Sequence, residues 1–393
     1  MVKNISIIGI DCCGCSNCAN ACPRKAVTMT SNFEGFLYPE IASTCVDCGI
    51  CVRVCPQTTE PIYPSSQFSF AAVTKDDDIL KNAASGGVFG SLSKFFLSQK
   101  DAYVCAATFS NGLVKHIITN SLEDIKRCQG SKYVQSNLGD SLHRIKELLK
   151  DNCKVLFCGT PCQVAALYSY LNSRPSNLFT LDLICHGVPS PQFLKKDIEH
   201  YCKDISKLKD LRFRWKNPLR PKSNSGFFLY LNMSSSSQLY SFSYDPYFAS
   251  FMKGDSFRMS CYQCKYANLK RVGDITIGDF DSHKEYPYFH PGEGKSTVIV
   301  NTNNGNLLWE QSKNLFDIIE IDIKKEAAVN HQLSHPFVKT SVRDYIYEDI
   351  QIMSFNDLRK RYAKPSTKQQ KILFMIQTRL PYIYKWLIKN IVK

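Results

Sequence analysis

The sequence predicts a multidomain protein of mixed α+β and α/β class. A small cysteine-dense unit spans residues 1–60, a layered α/β unit with a β-rich part spans 61–340, and a basic helical tail spans 341–393. Three observations carry this reading. Nine of the 18 cysteines fall before residue 56. From Phe68 to about residue 200, β-branched and aromatic runs alternate with helical ones. Lysine and arginine gather between Arg359 and Lys393. A hydrophobic content of 44% with 12% aromatics is that of a folded chain.

The first unit opens with "CCGCSNCANACP", which contains Cys12-x2-Cys15-x2-Cys18-x3-Cys22-Pro23. The run returns as Cys45-x2-Cys48-x2-Cys51-x3-Cys55-Pro56 in "CVDCGICVRVCP". This is the spacing of a bacterial two-cluster ferredoxin. Three cysteines at intervals of three wrap one [4Fe-4S] cube. The fourth points away and ligates the other cube, and the proline fixes the turn after it. Cys12, Cys15, Cys18 and Cys55 are therefore expected to hold one cluster. Cys45, Cys48, Cys51 and Cys22 are expected to hold the second. Cys13 breaks the spacing and reads as a bystander. A pair of zinc sites would not call for the interleaved Cys-Pro ending.

No run of 18 apolar residues exists, so no transmembrane helix is expected. The start, "MVKNISIIGIDC", lacks the apolar core and cleavage site of a signal peptide. A cytoplasmic location follows as an expectation, where 18 cysteines suit metal better than disulfides. The formal charge of +14 needs correcting for bound ions. A cubane with four thiolates carries about −2, so three would leave roughly +8. No nucleic-acid reader motif accompanies the charge, and nucleic acid is not expected as a partner.

The middle unit divides into an N-terminal part, about 68–150, and a C-terminal part, about 151–320. "FSFAAVT", "CKVLFCG" and "LFTLDLIC" read as strands and "DAYVCAATFS" and "LVKHIITN" as paired strands, and their alternation with helices suggests a mostly parallel sheet. "SGGVFGSLSKFFLSQ" reads as a helix capped by Ser85, and "TPCQVAALYSYLN" as one with Thr160 at the cap and Pro161 at its first position. Beyond Leu208, "LRFRWK", "GFFLYLNM", "LYSFSY", "DITIGDF" and "STVIVNT" suggest an added β-rich part.

Three junctions stand out. "AASGGVFG" opens a helix whose free N–H groups suit a phosphate or the oxygens of a ring, or simply make a tight turn. It is not G-x-G-x-x-G, so a nicotinamide site is not supported. "FCGTPCQ" places Cys162 in a first helical turn, and "ICHGVP" ends a strand with Cys185 and His186. All three can face the carboxyl edge of the sheet, where ligands collect. "CYQCKYA" adds Cys261-x2-Cys264, half a site, which Cys162 and Cys185 could complete. A structural zinc or a redox dithiol is the alternative. Cys105, Cys128, Cys153, Cys158 and Cys202 read as small buried hydrophobes. "GEGKSTV" lacks the first glycine of a P-loop and is followed by a strand.

These pieces together resemble the β-subunit family of coenzyme F420 hydrogenases and dehydrogenases. The matching segments are the twin cysteine motif with "EGFLYPEI", then "SGGVFGSL", "GSKYVQS", "VLFCGTPCQVAAL", "LICHGVPSP", "CYQCKYA" with "GDITIGDF", and "GKSTVIVNTNNG". The resemblance implies a flavin-binding α/β domain holding FAD or FMN, and a third [4Fe-4S] cluster on Cys162, Cys185, Cys261 and Cys264. Ser85, Gly86, Gly87, Lys132, Tyr133, Gly159 and Thr160 would line the flavin or deazaflavin site. His186 and Lys132 would be the catalytic candidates. The chain departs from the pattern in "FRWKNPLRPKSNSGFF" and at Asp281, where relatives carry tryptophan, which puts deazaflavin as a partner in question.

The reading is an iron–sulfur flavoprotein oxidoreductase. It would pass electrons between clusters and an organic hydride carrier, with a protein or small carrier as redox partner. The resemblance also suggests a surface-polysaccharide context. The rival is a non-catalytic electron-transfer subunit that feeds a partner enzyme. The tail segment "QQKILFMIQTRLPYIYKWLIKNIVK" mixes apolar residues with lysine and could lie on the inner membrane face.

Overall fold

The computed structural model describes residues 3–64, 68–110, 112–217, 222–234 and 236–364. Within the cysteine-dense unit, β1 (Val27–Ser31) and β2 (Leu37–Ile41) pair as an antiparallel hairpin. Its tip is built by Asn32, whose side chain accepts the Phe36 N–H at 2.9 Å. Gly35 follows the tip in the left-handed region at φ 84°, where a Cβ would meet Gln192 and Ser190. The hairpin tip thus rests on the start of the helix Pro191–Tyr201.

The remaining strands are β3 (Phe68–Thr74), β4 (Ala102–Ser110), β5 (Leu113–Thr119), β6 (Lys154–Gly159), β7 (Leu178–Leu183), β8 (Leu208–Trp215), β9 (Gly226–Met233), β10 (Ser237–Ser241), β11 (Ile275–Asp279), β12 (Ser296–Val300) and β13 (Phe316–Glu320). Eight of them form one sheet in the order β13-β3-β12-β11-β7-β6-β4-β5. Strand β3, from the first half of the middle unit, sits between β12 and β13 from the second half, so both halves share this sheet.

The sheet is mixed rather than mostly parallel. Its centre is parallel through the pairs β4/β6, β6/β7 and β7/β11. The flanking pairs β4/β5, β11/β12, β12/β3 and β3/β13 are antiparallel. Chain length decides this at β4/β5: only two residues separate Ser110 from Leu113. A parallel return needs a crossover of about a dozen residues or more. The β-rich addition is likewise smaller than the sequence suggests. Strands β8, β9 and β10 form a separate antiparallel sheet, but β11 and β12 join the large one. Every residue of β12 is buried, as a strand covered on both faces requires.

Alternation along β6 sorts the core. Val155 and Phe157 face one apolar layer with Leu142, Ile145, Val164 and Leu167. Leu156 and Cys158 face the other, with Leu92, Phe96, Phe179 and Trp309. A third layer lies over the small sheet and includes Phe193, Phe213, Tyr247 and Phe248. The described part of the C-terminal segment belongs to it. Its helices Ile346–Ile352 and Phe355–Tyr362 bury Ile346, Tyr347, Ile350, Leu358 and Tyr362 there. The apolar-basic segment expected to meet a membrane lies outside the described residues. Among the described residues no helix is long and apolar enough to cross a membrane.

The helix of the "SGGVFG" segment begins at Val88, with Gly87 as its cap in the left-handed region at φ 82°. Ser85 is not the cap. Its hydroxyl meets that of Ser296 at 2.8 Å instead.

Candidate functional site

The twin cysteine loops share one backbone trace. Gly14 and Asp47, 33 residues apart, are both left-handed, and so are Ser16 and Gly49. Short helices follow at matching positions, Asn17–Ala21 and Ile50–Arg53. Burial, then the thiols of Cys12 and Cys55 and last that of Cys51, push Cys18 up to about 12. Cys22 in turn lines one small cavity with Cys45, Cys48 and Cys51. Backbone N–H groups point at sulfur in both sets: Gly14 to Cys12 at 3.4 Å and Ala26 to Cys22 at 3.3 Å. Such donors suit thiolates. Cys12, Cys15, Cys18, Cys51 and Cys55 are buried, whereas Cys48 is exposed.

Arg258 ties this unit to the rest of the chain. It is fully buried and donates through Nε to the Cys12 carbonyl, through Nη2 to the Leu37 carbonyl at 2.8 Å, and through Nη1 to Gln135 Oε1 at 3.1 Å. Gln135 Nε2 donates to the Cys13 carbonyl at 3.1 Å. Gly14 is doubly required here. Its φ is 68°, and a Cβ would stand 2.1 Å from Gln135 Nε2.

Beyond that junction lies a cavity of about 290 Å³ at the carboxyl ends of β6, β7 and β11. Cys162, Cys185, Cys261 and Cys264 all line it. Thr160 and Gln163 form a capping box that starts the helix Pro161–Leu171 and puts Cys162 in its first turn. The Thr160 hydroxyl meets the Cys162 sulfur at 3.1 Å. Burial, then the neighbouring Cys162 thiol, raises Cys185 to about 12 and Cys264 to about 11. Burial and the thiols of Cys185 and Cys264 raise Cys261. Among the described residues, no three His, Cys, Asp or Glu side chains converge on a point that could hold a single metal ion. A four-iron cube makes no such demand, because each thiolate meets its own corner.

The other wall belongs to the candidate organic ligand. Ser85, Gly87, Lys132, Tyr133, Gly159, Thr160 and His186 line the cavity. Gly86 stands behind it. Its N–H donates to Ser296 Oγ at 2.9 Å, and a Cβ there would lie 2.2 Å from the Ala72 carbonyl oxygen. The Lys132 ammonium is already engaged by the carbonyls of Arg127, Cys128, Gln129 and Gly130, at 2.6–3.2 Å. It closes the C-terminal end of the helix Leu122–Cys128. The Tyr133 ring stacks on Phe251 with centroids 4.3 Å apart, and its hydroxyl accepts from Arg214 at 3.3 Å. Arg214 is also ion-paired with Asp279 at the end of β11. The His186 ring reaches water within the cavity, and burial lowers its pKa, with the Asp279 carboxylate acting in the opposite direction.

Sequence reasoning missed several contributors. His116 lines the cavity and is buried; its Nε2 meets the Cys158 carbonyl at 3.1 Å. Nothing in "LVKHIITN" marks it beyond an isolated histidine in a strand. Arg258 and Gln135 gave no signal because their partners lie more than a hundred residues away.

Residues 11–59 match the 4Fe-4S dicluster domain. With the cysteine sets, that match defines the chain as an iron–sulfur electron-transfer protein of oxidoreductase type. More particularly, residues 152–325 match the family described as the C terminus of the coenzyme F420 hydrogenase/dehydrogenase beta subunit. No curated protein matches the chain. Among solved structures it is similar to a chain of the F420-reducing [NiFe] hydrogenase complex from Methanosarcina barkeri. Identity is 18%, the likeness covers 77% of this chain and 92% of that one, and the TM-score is 0.46.

Proposed function

We propose that the chain is an iron–sulfur flavoprotein oxidoreductase in which the cavity holds a flavin beside a third cluster on Cys162, Cys185, Cys261 and Cys264. One observation carries the reading. These four cysteines and the three loop junctions line a single cavity at the carboxyl ends of parallel strands, where α/β sheets bind ligands. A bound flavin exchanges electron pairs with organic partners and single electrons with iron–sulfur centres.

The residues of the chain supply position and environment. Gly87 opens the helix Val88–Leu97 toward the cavity, leaving N–H groups for ligand oxygens. Lys132 and Lys216 hold the surrounding loops through backbone carbonyls, Lys216 by donating to Leu80 and Ser85 at 2.8 and 2.9 Å. His186, exposed where it lines the cavity, is the candidate for holding a proton at the ligand. The family match offers coenzyme F420 as the first organic hydride carrier to try.

The test is iron, sulfide and flavin per chain after anaerobic purification. One flavin with about 12 irons supports the proposal. Iron and sulfide without flavin, even after incubation with FAD and FMN, overturn it in favour of an electron-transfer subunit that feeds a partner enzyme.

A further inference from the structure

We infer that Cys13, the cysteine outside the ferredoxin spacing, is a fifth thiol of the third cysteine set and can replace Cys162 as a ligand there. The inference rests on the cluster reading of that set.

Cys12 and Cys13 are chain neighbours that serve different places. Cys12 does not line the cavity, and its thiol acts on those of Cys18 and Cys55. Cys13 lines the cavity with Cys162, Cys185, Cys261 and Cys264. It is near enough to Cys15 and Cys162 for their thiols to act on its own. It also packs on the apolar layer that Cys162 and Cys264 border.

This placement is fixed by the backbone. Arg258 holds the Cys12 carbonyl, Gln135 holds the Cys13 carbonyl, and the left-handed Gly14 turns the chain directly afterwards. With both carbonyls pinned, the two side chains leave the segment in set directions. Five thiols therefore line a space where four would complete a cube, and the surplus one shares its packing layer with a ligand candidate. Cys15 is the other thiol in reach, but it does not line the cavity, so the exchange belongs on the Cys162 side. The exchange balances without any change of oxidation state. A Cys162 sulfur–iron bond breaks, a Cys13 sulfur–iron bond forms, and the Cys13 proton passes to Cys162.

The test is iron and sulfide per chain, with the electron paramagnetic resonance spectrum, on anaerobically purified full-length variants. Cys162→Ala should keep about 12 irons, and so should Cys13→Ala. The double variant should fall to about 8, as should Cys264→Ala, which has no spare thiol beside it. Cys162→Val, which fills the space of the lost sulfur where alanine leaves a gap, repeats the measurement should the alanine variant fold poorly. A Cys162 variant that already drops to about 8, or a double variant that keeps about 12, overturns the inference. Wild-type protein with about 8 irons would instead defeat the cluster reading itself.

Discussion

Arg343 and Glu34 form a two-pronged ion pair, Nη1 to Oε1 at 2.8 Å and Nη2 to Oε2 at 2.7 Å. It joins the C-terminal segment to the hairpin tip of the cysteine-dense unit across 309 positions of sequence. Arg343 also donates through Nε to the Phe257 carbonyl at 2.7 Å, and its side chain is 4% exposed. Arg343→Ala would leave Glu34 without its partner in a largely dry site. The expected loss is about 3 kcal/mol of stability, read from denaturant midpoints. Limited proteolysis should then cut first near the hairpin tip. A loss below about 1 kcal/mol would contradict the account.

The interleaving of the two motifs predicts non-additive iron loss. Cys22 lines the cavity of Cys45, Cys48 and Cys51, although it belongs to the other motif. Cys22→Ala and Cys45→Ala should each drop iron from about 12 to about 8, and the double variant should lose no more. Cys22→Ala with Cys55→Ala should lose both centres and leave about 4. Equal losses in the two double variants would show that each motif binds its own group.

His116 predicts a pH dependence. Burial depresses its pKa to about 4. Between that value and its ordinary one near 6.5, the unfolded chain takes up a proton that the folded chain does not. Its contribution is therefore complete above about 6.5 and is lost as the pH falls. From pH 7 to pH 5 the wild type should lose about 2 kcal/mol more than His116→Phe, compared by denaturant melts. Parallel pH profiles would remove histidine from the account.

Asp197 gives the opposite slope. It is buried beside Asp245, which caps the helix Pro246–Lys253 by accepting the Phe248 N–H at 2.7 Å. Burial, and then the Asp245 carboxylate, hold Asp197 well above the usual carboxylate range. The folded chain keeps this proton after the unfolded chain has released it, so stability falls as the pH rises above about 4. Asp197→Asn removes that decline. At pH 8 it should be more stable than wild type by more than about 1.4 kcal/mol, the worth of one pKa unit, with a smaller gap at pH 5. An asparagine variant less stable at pH 8 would count against the assignment.

Local chemistry was legible in the sequence where it is written in spacing. The paired left-handed positions Gly14/Asp47 and Ser16/Gly49 follow the cysteine repeat, and Thr160-Pro161 announced a helix start that the structure contains. Relations set by distant contacts were not legible. Strand order cannot be read from β11 and β12, because a run such as "STVIVNT" suits an edge or a centre equally until its covering layers are known. Lys132 read as a cofactor-lining and catalytic candidate, and its engagement was invisible because its four acceptors are carbonyls, which leave no trace in side-chain identity. Cys13 looked idle because its neighbour Cys162 lies 149 residues further on.

The contact between Glu34 and Arg343 has a consequence for biosynthesis. At about 5–20 residues per second, a ribosome needs roughly 15–60 s to travel the 309 positions between them. For the first 224 of those positions neither Arg258 nor Arg343 has been made to fasten the amino-terminal thiols, and Arg343 follows 85 positions after Arg258. Whatever delivers iron and sulfide to this chain meets an undocked target first, and an air-exposed cell has that long to oxidise it.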